Sequence, residues 1–340
     1  MTGFKIRLIF VGAFFLLALA RPGWAAPLRA DIFPGECRPE ISDAIIRAYN
    51  HALNREYEAS RKICEQLERD YPDHPAGSAG MMALFQVMML ENEDYSYDAE
   101  LKAAAIRNQE AVDKFLETAP KNSWYYTLTG ASWGIQGIYY LRRDEYLMAF
   151  YRGINALRFL NKALAINPDD WEARMGLGVF LYYRSAYSSF LPFLFPDQRA
   201  EGIREVEQAG VERPYLHEVS QIALYYIYLN QKDYGRCLAI MEGLAKQRPE
   251  FVIYYQFGGR AMMVKGDDRG ALTYYRRIHE LDPSLYLPLF KMGECHFRLG
   301  DDVPSKTYLE RFLKEARSPD PSYTDSARDY LHRIQDRSKK

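Results

Sequence analysis

The sequence is short of nearly everything from which a catalytic or metal centre is built. Its 340 residues include only four cysteines and six histidines. No CxxC occurs and no histidines stand in an HxxxH or HExxH spacing, so neither a metal nor a cofactor is expected. Strand signals are missing too: apolar–polar alternation bounded by turn residues is hard to find over five or more positions. Nor is there a run of the about 20 apolar residues that a membrane-spanning helix requires. An excess of one charge is also absent. A formal net charge of −1 gives no reason to expect a polyanionic partner, so nucleic acid is not expected.

What is present begins with a polarised N-terminus. Lys5 and Arg7 precede LIFVGAFFLLALA at 8–20, and GWA-AP places small residues around Ala25. That order is the pattern of an export signal over residues 1–25, with retention as an anchor the alternative for a stretch of 13 residues. Removing it deletes Lys5, Arg7 and Arg21 and no acid, taking the net charge from −1 to −4. The expected product is an exported, periplasmic chain, soluble after cleavage, with 26–40 as an N-terminal segment. In an oxidising compartment Cys37 and Cys64 are candidates for a disulfide, while Cys237 and Cys295 fall at small-residue core positions.

The dominant feature is a period of 34. Residues 218–251, 252–285 and 286–319 each carry an apolar run, a polar turn and an amphipathic run. Cys237, Ala271 and Ser305 correspond. Met241, Tyr275 and Leu309 follow four residues later, then Leu244, Ile278 and Phe312. A small–large–large stripe at helical spacing lets two helices approach at the small residue and lock at the large ones. The stripe recurs at Ser60, Cys64 and Leu67, at Ala156, Leu160 and Ala163, and at Gly202, Val206 and Ala209.

These residues resemble the tetratricopeptide repeat, a helix–turn–helix unit that stacks into a right-handed superhelix. The resemblance covers roughly 41–319. It implies an all-α, right-handed α-solenoid of seven helix pairs at 41–74, 75–122, 123–170, 171–217, 218–251, 252–285 and 286–319. Residues 320–340 supply a capping helix and tail.

Two motifs invite a catalytic reading. GASWG at 130–134 fits the G-x-S-x-G elbow with Ser132 as nucleophile, but the strands that such an elbow needs are lacking. A serine hydrolase is therefore the remote alternative, and the chain is read as no enzyme. The acidic pairs at 169–170, 267–268 and 301–302 sit where helices start, as capping residues do.

In this family the first helix of each pair lines the concave face. Carried over, the partner-binding lining comprises Tyr183, Tyr226, Asn230, Gln256, Arg260, Phe290, Lys291, Glu294 and Arg298. Arginines beside aromatic walls suit an extended peptide or an acidic chain end, against the alternative of an ordinary solvated face. The family's two-carboxylate clamp is not matched.

The fourth pair departs from the pattern by an insertion of about 12 residues, 186–197, containing SSFLPFLFPD. Phe190, Leu191, Phe193, Leu194 and Phe195 form an apolar loop that Pro192 and Pro196 keep from being helical. Left in water, these side chains forfeit about 1.5–3 kcal/mol each. Three covers are open: the solenoid itself, a partner protein, or a membrane surface. The surrounding GLGVFLYY and DQRAEGIREVEQAG also resemble a eukaryotic tetratricopeptide family linked to the outer mitochondrial membrane. The reading is a binding scaffold for a protein or peptide, with a membrane-associated adaptor as the alternative.

Overall fold

The computed structural model describes residues 38–118, 122–187 and 196–339. The signal-like segment and the apolar residues 190–195 lie outside the described residues. Among the described residues there are fifteen α-helices, no strand and one 3-10 turn, Pro214–Leu216. Fourteen helices form seven consecutive pairs: α1 (Pro39–Leu53) with α2 (Tyr57–Asp70), α3 (Ala76–Leu90) with α4 (Asp98–Thr118), α5 (Ser123–Arg142) with α6 (Tyr146–Ile166), and α7 (Trp171–Tyr187) with α8 (Arg199–Glu212). Then come α9 (His217–Asn230) with α10 (Tyr234–Gln247), α11 (Val252–Lys265) with α12 (Asp268–Leu281), and α13 (Leu287–Leu299) with α14 (Asp302–Glu315). Helix α15 (Pro321–Arg337) packs on α13 and α14. This is an all-α helical repeat fold of the solenoid class.

The 34-residue stripe is the interior of the pairs. Cys237, Ala271 and Ser305 are fully buried, and the large residues after them are no more than 3% exposed. Ser305 also donates its hydroxyl to Gly293 O at 2.9 Å, which satisfies the one polar member of the stripe. In the fourth pair the approach is closest. A Cβ on Gly202 would lie 2.4 Å from Gly178 O, so only two glycines permit α7 and α8 to cross there.

The turn inside six of the seven pairs is built one way. The residue two past the middle of the turn takes a left-handed conformation at Arg55, Glu93, Asp144, Lys232, Gly266 and Gly300. At each, that residue's N–H bonds three residues back and the next residue's N–H five residues back, as with Lys232 to Leu229 O (3.1 Å) and Asp233 to Tyr228 O (2.9 Å). This double bond closes the first helix and satisfies its last carbonyls. The following residue then starts the second helix at once, as Glu56, Glu145, Asp233, Asp267 and Asp301 do. The second pair differs: Asp94 ends the motif, but α4 begins only at Asp98.

The chain forms two compact units. Unit 1 holds the residues up to Gln86 and Ala99–Ile227; unit 2 holds Val87–Asp98 and Tyr228–Lys340.

The elbow reading of Ser132 is corrected by these elements. Ser132 stands mid-way along α5, is 1% exposed, and gives its hydroxyl proton to Leu128 O at 3.0 Å. A nucleophile needs a turn that presents its oxygen; here the helix ladder consumes it. The disulfide expected of Cys64 has its other half, Cys37, outside the described residues. Cys64 itself is a buried free thiol, which burial pushes up to about 12.

Candidate functional site

Unit 2 brings the short segment 87–98 against the face made by α11, α13 and α15. The segment is the second pair's lengthened turn, and it carries Glu91, Asn92, Glu93 and Asp94 in succession. Its left-handed residue is not glycine but Glu93, at φ 49°. That conformation is disfavoured for any residue with a Cβ, and here it aims a carboxylate inward. Glu93 is 6% exposed and lies between Arg260, which pairs with Oε1, and Tyr323, whose hydroxyl donates to Oε2.

The neighbouring residues are held as closely. Gln256, 4% exposed, donates Nε2 to Glu91 O at 2.6 Å. Asn92 Oδ1 accepts from the backbone N–H of Tyr286 at 3.0 Å and of Leu287 at 3.2 Å, at the N-terminus of α13. The Tyr286 hydroxyl donates to Asp94 Oδ2, and Asp94 Oδ1 accepts from the Ser96 hydroxyl at 2.7 Å. Burial, then the facing carboxylates, holds the Tyr286 and Tyr323 hydroxyls well above the ordinary phenol range. They therefore remain donors at any physiological pH. The face is thus an array of donors meeting carboxylates, a backbone carbonyl and a side-chain amide oxygen.

The expected lining residues divide between the two units. Tyr183 and Tyr226 belong to unit 1. Tyr183 is half-buried and stacks on Tyr187 with centroids 6.1 Å apart, while Tyr226 is 5% exposed and meets Tyr225 edge-on. Asn230, half-buried at the end of α9, is in unit 2. Gln256 and Arg260 contact the acidic segment directly. Phe290 is buried beneath Tyr323, with centroids 4.8 Å apart. Lys291 lies 4.6 Å from the centroid of the Tyr323 ring. Glu294 accepts from Arg298 at 2.6 Å and from the Tyr330 hydroxyl at 3.2 Å, and Arg298 also reaches Asp268 at 3.5 Å. Burial raises the Asp268 carboxyl against the opposing pull of Arg298.

Phe290, Lys291, Glu294 and Arg298 therefore form the seat of the C-terminal helix α15. Asn92, Glu93, Asp94, Tyr286 and Tyr323 escaped the sequence reading. Their signal was the length of the second pair, 48 residues against a period of 34, with an acidic run at its turn.

Residues 289–317, which span α13 and α14, match the model of the tetratricopeptide repeat. Those residues are a tetratricopeptide repeat by this match. No curated protein matches it. Among solved structures it is similar to PilW, described as a widely conserved type IV pilus biogenesis factor, at 17% identity and a TM-score of 0.48, over 67% of this chain and 93% of that one. A tetratricopeptide repeat protein from Parabacteroides merdae is similar at 12% identity and a TM-score of 0.44, over 87% and 99% of the two chains. A human IFIT1 dimer with m7Gppp-AAAA is similar at 12% identity and a TM-score of 0.46, over 82% and 69%. At such scores the likeness carries no argument about partner or process. Among the described residues no cluster of His, Cys, Asp or Glu is suited to a metal ion. None of its helices there is long and apolar enough to cross a membrane.

Proposed function

We propose that the protein is an exported, non-catalytic scaffold that binds a protein partner through the α11–α13–α15 face, and that the segment recognised is acidic and tyrosine-bearing. One observation carries this reading: the face already holds such a segment of its own chain. Arg260, Gln256, Tyr286 and Tyr323 meet Glu91–Asp94 through charge-assisted and backbone-directed bonds. Donors so arranged serve any acidic stretch of similar backbone course, and a partner enters by displacing the internal one.

The test is fluorescence anisotropy with a labelled peptide of residues 89–98 (MLENEDYSYD). It compares the wild-type chain with Glu93→Ala/Asp94→Ala, which weakens the internal segment. The variant is expected to bind at least tenfold more tightly than wild type, and Arg260→Glu added to it is expected to abolish binding. Equal, non-saturable signals from all three proteins remove the proposal. Export is a separate part of it: N-terminal sequencing of the mature protein is expected to begin at Ala26.

A second reading, a membrane-surface adaptor, rests on the exposed ridge of α6. Leu147 is 88% and Phe150 70% exposed, and Tyr187, 54% exposed, ends α7 where the apolar loop begins. Co-flotation with anionic liposomes at low salt is the outcome it requires.

A further inference from the structure

Unit 1 contains a cleft that the acidic-peptide face does not use. It lies where the second and third helix pairs meet, has a volume of about 430 Å³, and is bounded by α3, α4, α5 and α6. Most of its wall is apolar, including Met82, Leu101, Ile135 and Tyr139, all 6% exposed or less. Ile106 at its rim is 63% exposed, an apolar side chain with no cover on that side.

Lys102, Gln109, Glu110 and Gln136 also line it, and the two remaining polar residues, Gln86 and Arg152, each carry an unpartnered buried atom. Gln86 is fully buried; its Nε2 donates to Ile135 O at 3.2 Å, which fixes which end of the amide is which, and its Oε1 accepts nothing. A buried acceptor left unpaired costs about 1–3 kcal/mol. On the other side stands Arg152. Its guanidinium lies over the rings of Trp133 (4.7 Å), Tyr140 (5.7 Å) and Tyr151 (5.9 Å), and among the described residues it has no carboxylate partner and its buried Nε–H no acceptor. Three aromatic faces hold the cation in place at some cost in hydration.

The lining residues of the cleft thus include one buried acceptor in want of a donor and one buried donor in want of an acceptor. A fatty acyl carboxylate answers only the second. A secondary amide answers both, because its N–H and C=O point in opposite directions from one planar group. We infer that this cleft is a binding site for an apolar peptide segment, with a backbone N–H received by Gln86 Oε1 and a backbone C=O by Arg152 Nε. Its volume falls within the range of ordinary ligand sites and admits a few apolar side chains.

The probe is a fluorescent capped peptide, Leu-Val-Leu-Ala-Leu, and its analogue with the central amide replaced by an ester, which removes one N–H donor. Both are titrated into the full-length protein. Wild type is expected to bind the amide saturably and about tenfold more tightly than the ester, one neutral hydrogen bond to a buried acceptor. Ala105→Trp, which fills the cleft from a half-buried position, is expected to abolish binding while circular dichroism and Tm stay as in wild type. Arg152→Lys keeps the charge but loses the Nε donor, and is expected to weaken the amide peptide severalfold. Unchanged binding in Ala105→Trp, equal affinity for amide and ester, absence of saturable binding to wild type, or displacement of the peptide by micromolar myristate overturns the assignment. The site is independent of the α11–α13–α15 face, so peptide 89–98 serves as a non-competing control.

Discussion

At the scale of single residues, the six left-handed turn positions make an internal comparison. Gly266 and Gly300 adopt this conformation without strain, whereas Lys232, Arg55, Asp144 and Glu93 carry a Cβ there. Lys232 is exposed, so Lys232→Gly is expected to stabilise the protein by roughly 0.5 kcal/mol, and Gly266→Ala to destabilise it by about 1 kcal/mol. Glu93→Gly relieves the same backbone cost but strips Arg260 and Tyr323 of their shared carboxylate. It is expected to destabilise by about 1–3 kcal/mol, the opposite sign to Lys232→Gly. Denaturant midpoints of the three variants decide the matter, and a stabilised Glu93→Gly would mean that the acidic contact contributes nothing. The sequence could not disclose this, because an αL glutamate and an αR glutamate are the same letter.

At the scale of the element, the residues of the small–large–large stripes are buried, and the acidic pairs stand where helices start. Asp170 and Asp267 accept from the backbone N–H groups of Ala173 (3.0 Å) and Gly270 (2.8 Å), whereas Asp301 at the start of α14 makes no side-chain cap bond. Less legible was which first-helix side chains remain open. Phe290, Lys291 and Glu294 occupy lining positions by spacing, and α15 packs against them; a terminal helix has no repeat of its own to betray its seat.

Element packing also sets a pH response at the start of α7. Burial, and after it the charge of Asp170, raises the Glu172 carboxyl to about 7, and its oxygen accepts from the Tyr215 hydroxyl. Between about 4.5 and 7 the native state keeps a proton that the unfolded chain has lost, so stability falls as pH rises through that window. Glu172→Gln is expected to flatten that slope, and to stabilise the protein at pH 8 relative to wild type more than at pH 4.5. Parallel urea midpoints at the two pH values would expose a failure of this argument as parallel shifts.

At the scale of the whole molecule, unit 2 is discontinuous in sequence: its acidic segment precedes the rest of it by more than a hundred residues. A fragment beginning at residue 218 retains the helices of unit 2 but lacks residues 87–98. It is expected to melt at a lower temperature than unit 2 in the intact chain, and to recover several degrees on addition of peptide 87–98. Titration calorimetry that detects no heat would show that the segment is held only by its covalent attachment.

The discontinuity has a kinetic side. Most contacts in a repeat protein join residues a few tens apart, and such chains fold by quick local propagation. The Glu93–Tyr323 contact spans 230 residues, and Gln256–Glu91 spans 165. A chain emerging from its N-terminus therefore displays the ENED turn without these partners until α11, more than 150 residues later, has been made. Among the described residues, closure of that loop is a long-range step in a largely local search. It sets the pace at which the finished chain withdraws its acidic segment from its surroundings.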